Sequence, residues 1–255
     1  MLTAIRSDSQ KTLAQDANKI DAPFTCPECN KNVILRKGLI KTPHFAHKPP
    51  VTCQYGQGES EEHRKCKQAI FNCLVEAGDS VTACEMEKFL GTVRPDIYFE
   101  RNNYKIAIEV QISNLTMEKI IYRTEQYNRL NINVLWLPIF RKTLSEDCPS
   151  LFTPTQWEKW LHVTYYGRVY YWSDNLNVVP VHFGEVRLDN PGWERKKISS
   201  YTYKSKKYRI PTHGKLSHIL QDFDVTTRRE PWGEGKNIFV PPCKIWIDKQ
   251  KKWWD

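Results

Sequence analysis

The sequence has no long hydrophobic run. Its longest uninterrupted apolar stretch, near residues 134–140, is far shorter than the roughly 20 residues that span a bilayer. The opening residues, MLTAIRSDSQ, are polar and lack the apolar segment of a secretory signal. The chain also contains no internal repeat and no low-complexity stretch. These absences exclude a membrane-spanning protein and predict a cytoplasmic one without a membrane partner.

The composition is that of a folded protein with an excess of basic residues. Of the 255 residues, 40% are hydrophobic and 26% are charged, which allows one large or two modest domains. The formal net charge is +9, of which +2 falls on residues 1–140 and +7 on residues 141–255. The positive charge therefore lies mainly in the C-terminal part.

Eight cysteines in a chain without a secretory signal indicate thiols or metal ligands rather than disulfides. Cys26 and Cys29, in CPEC, have the spacing of a zinc knuckle. On a zinc-ribbon pattern His47 and Cys53 complete a structural Cys₃His Zn²⁺ site. The alternatives are a Cys₂His₂ site that uses His44 with His47, and reduced thiols without metal. Residues 44 and 47 face opposite sides of a strand, so we expect only one of them to be a ligand.

Hydrophobic periodicity predicts an α/β core with the order helix, three strands, helix, strand. The first helix, SEEHRKCKQAIFNCLVEAG, has Ser60 as N-cap and Gly78 after its end. The strands are SVTACEMEKF, RPDIYFE and KIAIEVQIS, and the last two form a hairpin. The helix MEKIIYRTEQYNRL, with Leu130 facing inward, precedes the buried strand INVLWLPIF.

The region after residue 140 has a less regular pattern, and its topology does not follow from the sequence. TQWEKWLH is typical of a short helix, while GRVYYWS, NVVPVHFGEVRL and the tail IWIDKQKKWWD are typical of strands. We therefore predict three segments: an N-terminal segment with a zinc ribbon at 1–58, the α/β core at 59–145, and a basic, aromatic-rich mixed α/β or β-rich region at 146–255.

Two carboxylates lie on the strands of the predicted hairpin. Asp96 begins one strand, Glu109 lies in the middle of the next, and Gln111 shares a strand face with Glu109. Burying these groups among apolar neighbours is costly unless a cation compensates their charge. Carboxylate oxygens suit Mg²⁺ or Mn²⁺, so the pattern predicts a divalent metal site. The alternative is a solvated edge of two strands.

The motifs CPEC, HFAH, SEEH, RPD and EVQIS, with Arg123 and Tyr127, together resemble the competence protein CoiA family over roughly residues 20–140. RPD and EVQ also resemble the PD-(D/E)XK nuclease superfamily, with Gln111 where Lys is usual. The resemblance implies a restriction-endonuclease-like core that hydrolyses DNA phosphodiester bonds. Asp96 and Glu109 would hold the catalytic Mg²⁺ or Mn²⁺, and Gln111 would orient the attacking water.

Two other functions remain open at this point. Gln111 offers only a neutral amide, which leaves slow or absent turnover possible. The chain would then be a DNA-binding protein that supports recombination or DNA uptake. A third possibility is a zinc-stabilised scaffold for protein partners. Partner proteins in recombination or phage defence are possible, and neither strand preference nor oligomeric state follows from the sequence.

Several further side chains are candidates for the active site or for contacts with single- or double-stranded DNA. Helix spacing brings His63, a candidate catalytic residue, and Lys67 to one face. Glu85 and Glu87 share a strand face, and one of them is a candidate neighbour of the metal. The candidates for phosphate contacts are Lys37, Lys41, Lys67, Arg123 and, within a basic run that alternates with tyrosines, Lys204, Lys206 and Lys207.

Overall fold

The computed structural model describes residues 1–112, 115–141, 144, 152–188, 207–230 and 238–254. It is a mixed α/β protein with several sheets, as the sequence predicts. The chain divides into two compact units, Met1–Val110 and Gln111–Asp255. Among the described residues, no helix is both long and apolar enough to cross a membrane.

The first unit begins with a small antiparallel sheet whose strands lie in the order Lys11–Leu13, Thr3–Ile5, Phe24–Thr25, Asn32–Arg36 and His44–His47. A tight aromatic contact lies in its core, where the rings of Phe24 and Phe45 are 5.0 Å apart. Cys26 and Cys53 are buried in the same cluster, so this core and the Cys/His pattern share residues. The strands are β1 (Thr3–Ile5), β2 (Lys11–Leu13), β3 (Phe24–Thr25), β4 (Asn32–Arg36) and β5 (His44–His47).

The remainder of the first unit is a helix followed by an antiparallel meander. Its elements are α1 (Glu61–Glu76), β6 (Thr82–Met86), β7 (Ile97–Arg101) and β8 (Tyr104–Gln111). The predicted helix is confirmed, including its ends. The Ser60 hydroxyl accepts a hydrogen bond from the backbone N–H of His63, and Gly78 has a φ of +61° just beyond the helix.

The predicted hairpin of β7 and β8 is also confirmed. Asn102 and Asn103 both have positive φ, which matches the right-handed twist of the flanking strands in a two-residue turn. The strands then pair from Arg101 and Tyr104 to Ile97 and Ile108. This register determines where the two candidate carboxylates meet.

The second unit contains the predicted helices α2 (Met117–Arg129) and α3 (Gln156–Thr164). Strand β9 (Ile132–Pro138) pairs in parallel with β15 (Cys243–Asp248), which pairs antiparallel with β14 (Phe223–Arg228). A further sheet contains β10 (Val169–Trp172), β11 (Asn177–Leu188), β12 (Lys207–His213) and β13 (Ser217–His218).

Three local expectations differ from the structure. Leu130 does not face inward but is 37% exposed, because it is the C-cap of α2 and lies outside its last regular turn. The C-terminal strand ends at Asp248, before the basic residues of the tail. Glu85 and Glu87 do not share a strand face, because β6 ends at Met86 and Glu87 has a φ of +50°.

Candidate active site and metal-binding cluster

Cys26, Cys29, His47 and Cys53 lie together in the first unit. One ligand atom from each residue lies within 4.8 Å of the others. The Sγ atoms of Cys26 and Cys53 are 4.0 Å apart, and Cys29 Sγ is 3.4 Å from His47 Nε2. In a tetrahedral zinc site with ligand bonds of 2.0–2.3 Å, ligand atoms are separated by about 3.5–3.8 Å. The cluster could therefore bind a metal such as zinc.

Backbone N–H groups contact the sulfur atoms of Cys26 and Cys29. The CPEC turn brings the N–H of Glu28 to 3.4 Å from the Sγ of Cys26. A backbone hydrogen bond from Lys31 lowers the pKa of Cys29, whereas burial raises the pKa of Cys26 to about 11. Metal binding requires thiolates, so it would displace the proton that burial retains on Cys26.

His44, the alternative ligand, is separate from the cluster. It pairs with Arg36 across the hairpin, whereas His47 pairs with Val33. Its Nδ1 lies 2.9 Å from the carbonyl oxygen of Thr42. The side chains of His44 and His47 therefore lie in different environments, as expected for two residues three positions apart on a strand, which face opposite sides.

Asp96 lies directly before β7, where the hairpin brings it close to β8. The backbone N–H of Val110 donates a 2.9 Å hydrogen bond to Asp96 Oδ2. Extending the Ile97–Ile108 register by one residue places Asp96 across from Glu109, with both side chains on one sheet face. Glu109 is almost fully buried, at 1% exposure, and Gln111 is the last residue of β8.

Helix α1 brings two side chains, one helical turn apart, to Asp96. His63 Nε2 lies 3.3 Å from Asp96 Oδ2, and Lys67 Nζ lies 3.2 Å from Asp96 Oδ1. His63 is half-buried, whereas Lys67 is only 2% exposed. The face that carries the i, i+4 pair is therefore directed at the first carboxylate of the predicted metal site.

Lys67 also contacts the carboxylates of Glu59 and Glu87. Its Nζ is 2.7 Å from an oxygen of Glu59 and 2.7 Å from one of Glu87. Burial alone would lower the pKa of Lys67, but the charges of Glu87, Asp96 and Glu59 outweigh it and raise the pKa well above its usual value. The predicted role of Lys67 in contacting a DNA phosphate does not fit this position, since its ammonium is enclosed by three acids.

Glu87 connects the opening residues of the chain to the α1–β6 region. The backbone N–H groups of Leu2 and Thr3 donate to it at 3.1 Å each, and so does the Thr3 hydroxyl at 2.7 Å. Tyr55 and Lys67 donate to the same carboxylate at 2.5 and 2.7 Å. Burial opposes ionisation, but Lys67 and these donors lower the pKa of Glu87. Glu87 is therefore a buried acid and not the solvent-facing one of the alternative expectation.

The other predicted DNA contacts have varied positions. Lys41 is exposed, while Lys37 Nζ donates to the backbone carbonyls of Gln15 and Ala17. The guanidinium of Arg123 lies 5.5 Å from the ring centroid of Trp136. Tyr127, its partner in the family pattern, is fully buried. Lys204 and Lys206 lie outside the described residues, and Lys207 begins β12.

Comparison with known proteins agrees with the predicted resemblance. Residues 6–56 match the family model described as competence protein CoiA, N-terminal domain, and residues 59–171 match competence protein CoiA, nuclease-like domain. A segment of 117 residues is 28% identical to competence protein CoiA of Bacillus subtilis (strain 168). That match covers 45% of this chain and 31% of the relative, so the chain spans under a third of the relative's length. No solved structure matches the chain. On its two adjoining domain matches, the chain belongs to the competence protein CoiA family.

Proposed function

We propose that this chain is a metal-dependent deoxyribonuclease with a restriction-endonuclease-like core. Asp96, Glu109 and Gln111 all lie inside the segment that matches the CoiA nuclease-like domain. The observation that carries the proposal is the environment of Asp96. Its carboxylate accepts the backbone N–H of Val110, and two side chains of α1 contact its oxygens. A positioned carboxylate of this kind is what a catalytic metal site requires.

The donor set suits a hard divalent cation. Asp96 and Glu109 offer carboxylate oxygens, which Mg²⁺ and Mn²⁺ prefer. When bound, such an ion would acidify a water molecule and stabilise the charge that develops on the phosphate. Lys67, whose pKa its acidic neighbours raise, keeps a positive charge 3.2 Å from Asp96 Oδ1.

The protein side chains would position the reacting groups. Gln111 has no charge, so we assign it the orientation of the attacking water through its amide. His63 is half-buried, whereas Lys67, which also contacts Asp96 from α1, is enclosed. It can therefore contact a phosphate oxygen or a water molecule next to the carboxylate.

The Cys/His cluster has a separate, structural role in this proposal. Cys26, Cys29, His47 and Cys53 would hold Zn²⁺ with all four positions filled by protein. The core around them is small, and two of the ligands belong to it. Binding energy of the metal would therefore contribute directly to folding of the N-terminal sheet.

The test is cleavage of end-labelled single- and double-stranded DNA with added Mg²⁺ or Mn²⁺. We expect cleavage by the wild-type chain and its loss in Asp96→Asn and Glu109→Gln. The metal-free control should omit the divalent ion rather than add a strong chelator, because a chelator would also strip the Cys/His cluster. Equal cleavage by wild type and both variants would contradict the proposed site.

A second candidate is a non-enzymatic DNA-binding protein that serves DNA uptake or recombination. The observations that favour it are the neutral Gln111 and the Lys67 ammonium, which already occupies one oxygen of Asp96. Gln111→Lys separates the two candidates. If the wild type is inactive but Gln111→Lys cleaves DNA, the site is competent and position 111 limits it. If neither cleaves while both bind DNA, the binding protein is favoured.

A further inference from the structure

A cationic recess lies in the N-terminal sheet beside the β4–β5 connection, residues 37–43. It has a volume of about 620 Å³, and no acidic side chain lines it. All of the lining residues belong to the first unit. We refer to it as the basic recess, and its basic lining residues are Lys19, Arg36, Lys37, Lys41, His44 and Arg64.

Three of these basic side chains have N–H donors that are available to a ligand. Lys19, Arg36 and Lys41 are exposed, and their side chains form no hydrogen bond or ion pair within the described part of the chain. Such unpaired cations in a concavity raise the local positive potential and attract anions. The burial of His44, together with the charges of Arg64 and Arg36, lowers the pKa of that histidine. The electrostatic potential at His44, inside the recess, is therefore positive.

Arg64 provides a fixed part of the recess. Its guanidinium donates to the carbonyl oxygen of Glu59 and to the carboxylate of Glu61. Its Nε is buried and has no hydrogen-bond partner among the residues described. A buried donor without a partner is costly, and an anion or its water shell would relieve that cost.

Exposed apolar side chains stand next to these cations. Leu39 is fully exposed and Ile40 is 89% exposed, and both lie between Lys37 and Lys41 in the same connection. Ile20, next to Lys19, is 90% exposed. Adjacent apolar and cationic groups suit a ligand that presents apolar surface beside negative charge, as bases do beside phosphates.

The recess is also adjacent in sequence to the candidate active site. Arg64 lines the recess, and the preceding residue of α1, His63, contacts Asp96.

We propose that the basic recess binds a phosphate of the DNA strand and that Leu39 and Ile40 contact the neighbouring bases. This inference rests on the proposed function in taking DNA as the ligand, and it adds a binding site outside the metal centre. The phosphate is either a strand end or part of the backbone. An anionic membrane is the competing macromolecule for a surface of this kind.

The test measures DNA binding separately from hydrolysis. The full-length chain carrying Asp96→Asn is titrated, without added Mg²⁺, into labelled single-stranded DNA with or without a 5′-phosphate, at several salt concentrations. The test variant adds Arg36→Gln and Lys41→Gln. The matched control adds Lys65→Gln and Lys249→Gln, two exposed lysines outside the recess. Retained metal content and circular dichroism establish that each variant is folded.

The recess variant should bind DNA about 10-fold more weakly than its Asp96→Asn parent. The slope of log affinity against log salt concentration should fall in magnitude by about 1.4, as expected when two phosphate contacts to a single strand are lost. The control should change far less. A 5′-phosphate that strengthens binding only when the recess is intact identifies a strand end, and equal affinity with and without it identifies the backbone. Leu39→Ser with Ile40→Ser should weaken binding without changing the slope.

Equal losses in the recess variant and the control would overturn the proposal, since they would reflect net charge alone. Binding to vesicles of phosphatidylglycerol and phosphatidylcholine that depends on Arg36 and Lys41, with unchanged DNA affinity, would overturn it in favour of a membrane. Because Mg²⁺ is omitted, the expected result can be obtained even from a chain that never cleaves DNA. Recess-dependent DNA binding by a chain that does not cleave DNA would contradict the proposed hydrolysis but support the proposed DNA site in the recess.

Discussion

The buried Lys67 contacts the half-buried Asp96, with 3.2 Å between Nζ and Oδ1. The lysine comes from α1, whereas position 111, at the end of β8, carries a neutral glutamine. Lys67 is shared among Asp96, Glu59 and Glu87, so the candidate active site and the interior of the first unit depend on one ammonium group.

Replacing Lys67 should destabilise the first unit strongly. Lys67→Met keeps much of the side-chain volume but leaves three carboxylates without their common cation. Removing one partner of a buried ion pair typically costs about 3–5 kcal/mol. Denaturant unfolding measures this cost, and Lys65→Met, on an exposed part of the same helix, is the control. A cost below about 1 kcal/mol would show that the network contributes little.

Glu87 and Glu85 should respond differently to the same substitution. Glu87→Gln removes the charge that accepts hydrogen bonds from Lys67, Tyr55 and Thr3, and we expect a loss of about 3 kcal/mol or more in the free energy of unfolding. Glu85 contacts Lys88 at the surface, so Glu85→Gln should change it by less than about 0.5 kcal/mol. Similar values for both variants would contradict the assignment of Glu87.

Substitution of the two histidines of β5 should affect zinc binding differently, because only His47 lies in the Cys/His cluster. His47→Gln should lose bound zinc and lower the melting temperature, because it removes one of the four side chains that we propose hold the ion. His44→Gln should keep one zinc per chain, since His44 lies outside the cluster. Elemental analysis of the purified proteins gives the stoichiometry. Zinc loss in His44→Gln, with zinc retained in His47→Gln, would assign the site to the other histidine.

Acid should destabilise the second unit through His162. Its Nε2 accepts the backbone N–H of Phe183 at 3.1 Å, and burial, with the charges of His182 and Arg209, lowers its pKa to about 3. The unfolded chain binds a proton near pH 6.5, so stability present above that pH is lost as the pH falls towards 3.

The contribution of His162 is isolated by comparing pH profiles. Between pH 6 and 5 the unfolding free energy of wild type should fall more steeply than that of His162→Gln, by up to about 1.4 kcal/mol per pH unit. Parallel profiles would show that His162 is not held neutral. Above pH 7.5 the two slopes should agree, because His162 is neutral in both folded and unfolded chains.

Local patterns predicted the elements on which the candidate site rests. The caps of α1 and the two asparagines of the hairpin are sequence signals that the structure reproduces, and the hairpin register then brings Asp96 close to β8. The spacing of apolar residues in the sequence also indicates that Lys67 is buried. It precedes Ile70 and Leu74 by three and seven residues, so helical spacing places it on the buried face.

Other features depend on contacts between distant parts of the chain. Glu87 follows a strand like any exposed acid, and nothing local indicates that Leu2, Thr3 and Tyr55 would donate to it. Strand β12 contains Pro211, which weakens its local strand pattern. Tertiary pairing with β11, rather than local preference, accounts for this strand.

The most direct test of the account is the single-turnover rate at which wild type and Asp96→Asn cleave the same labelled DNA in Mg²⁺. Asp79→Asn, at an exposed aspartate after α1, is the matched control, and retained zinc verifies the fold of each protein. We expect wild type and the control to cleave at similar rates and Asp96→Asn to be slower by about 100-fold or more, as when a preorganised charge is removed from an active site. Cleavage by Asp96→Asn at the wild-type rate would contradict the assignment of Asp96 to the active site.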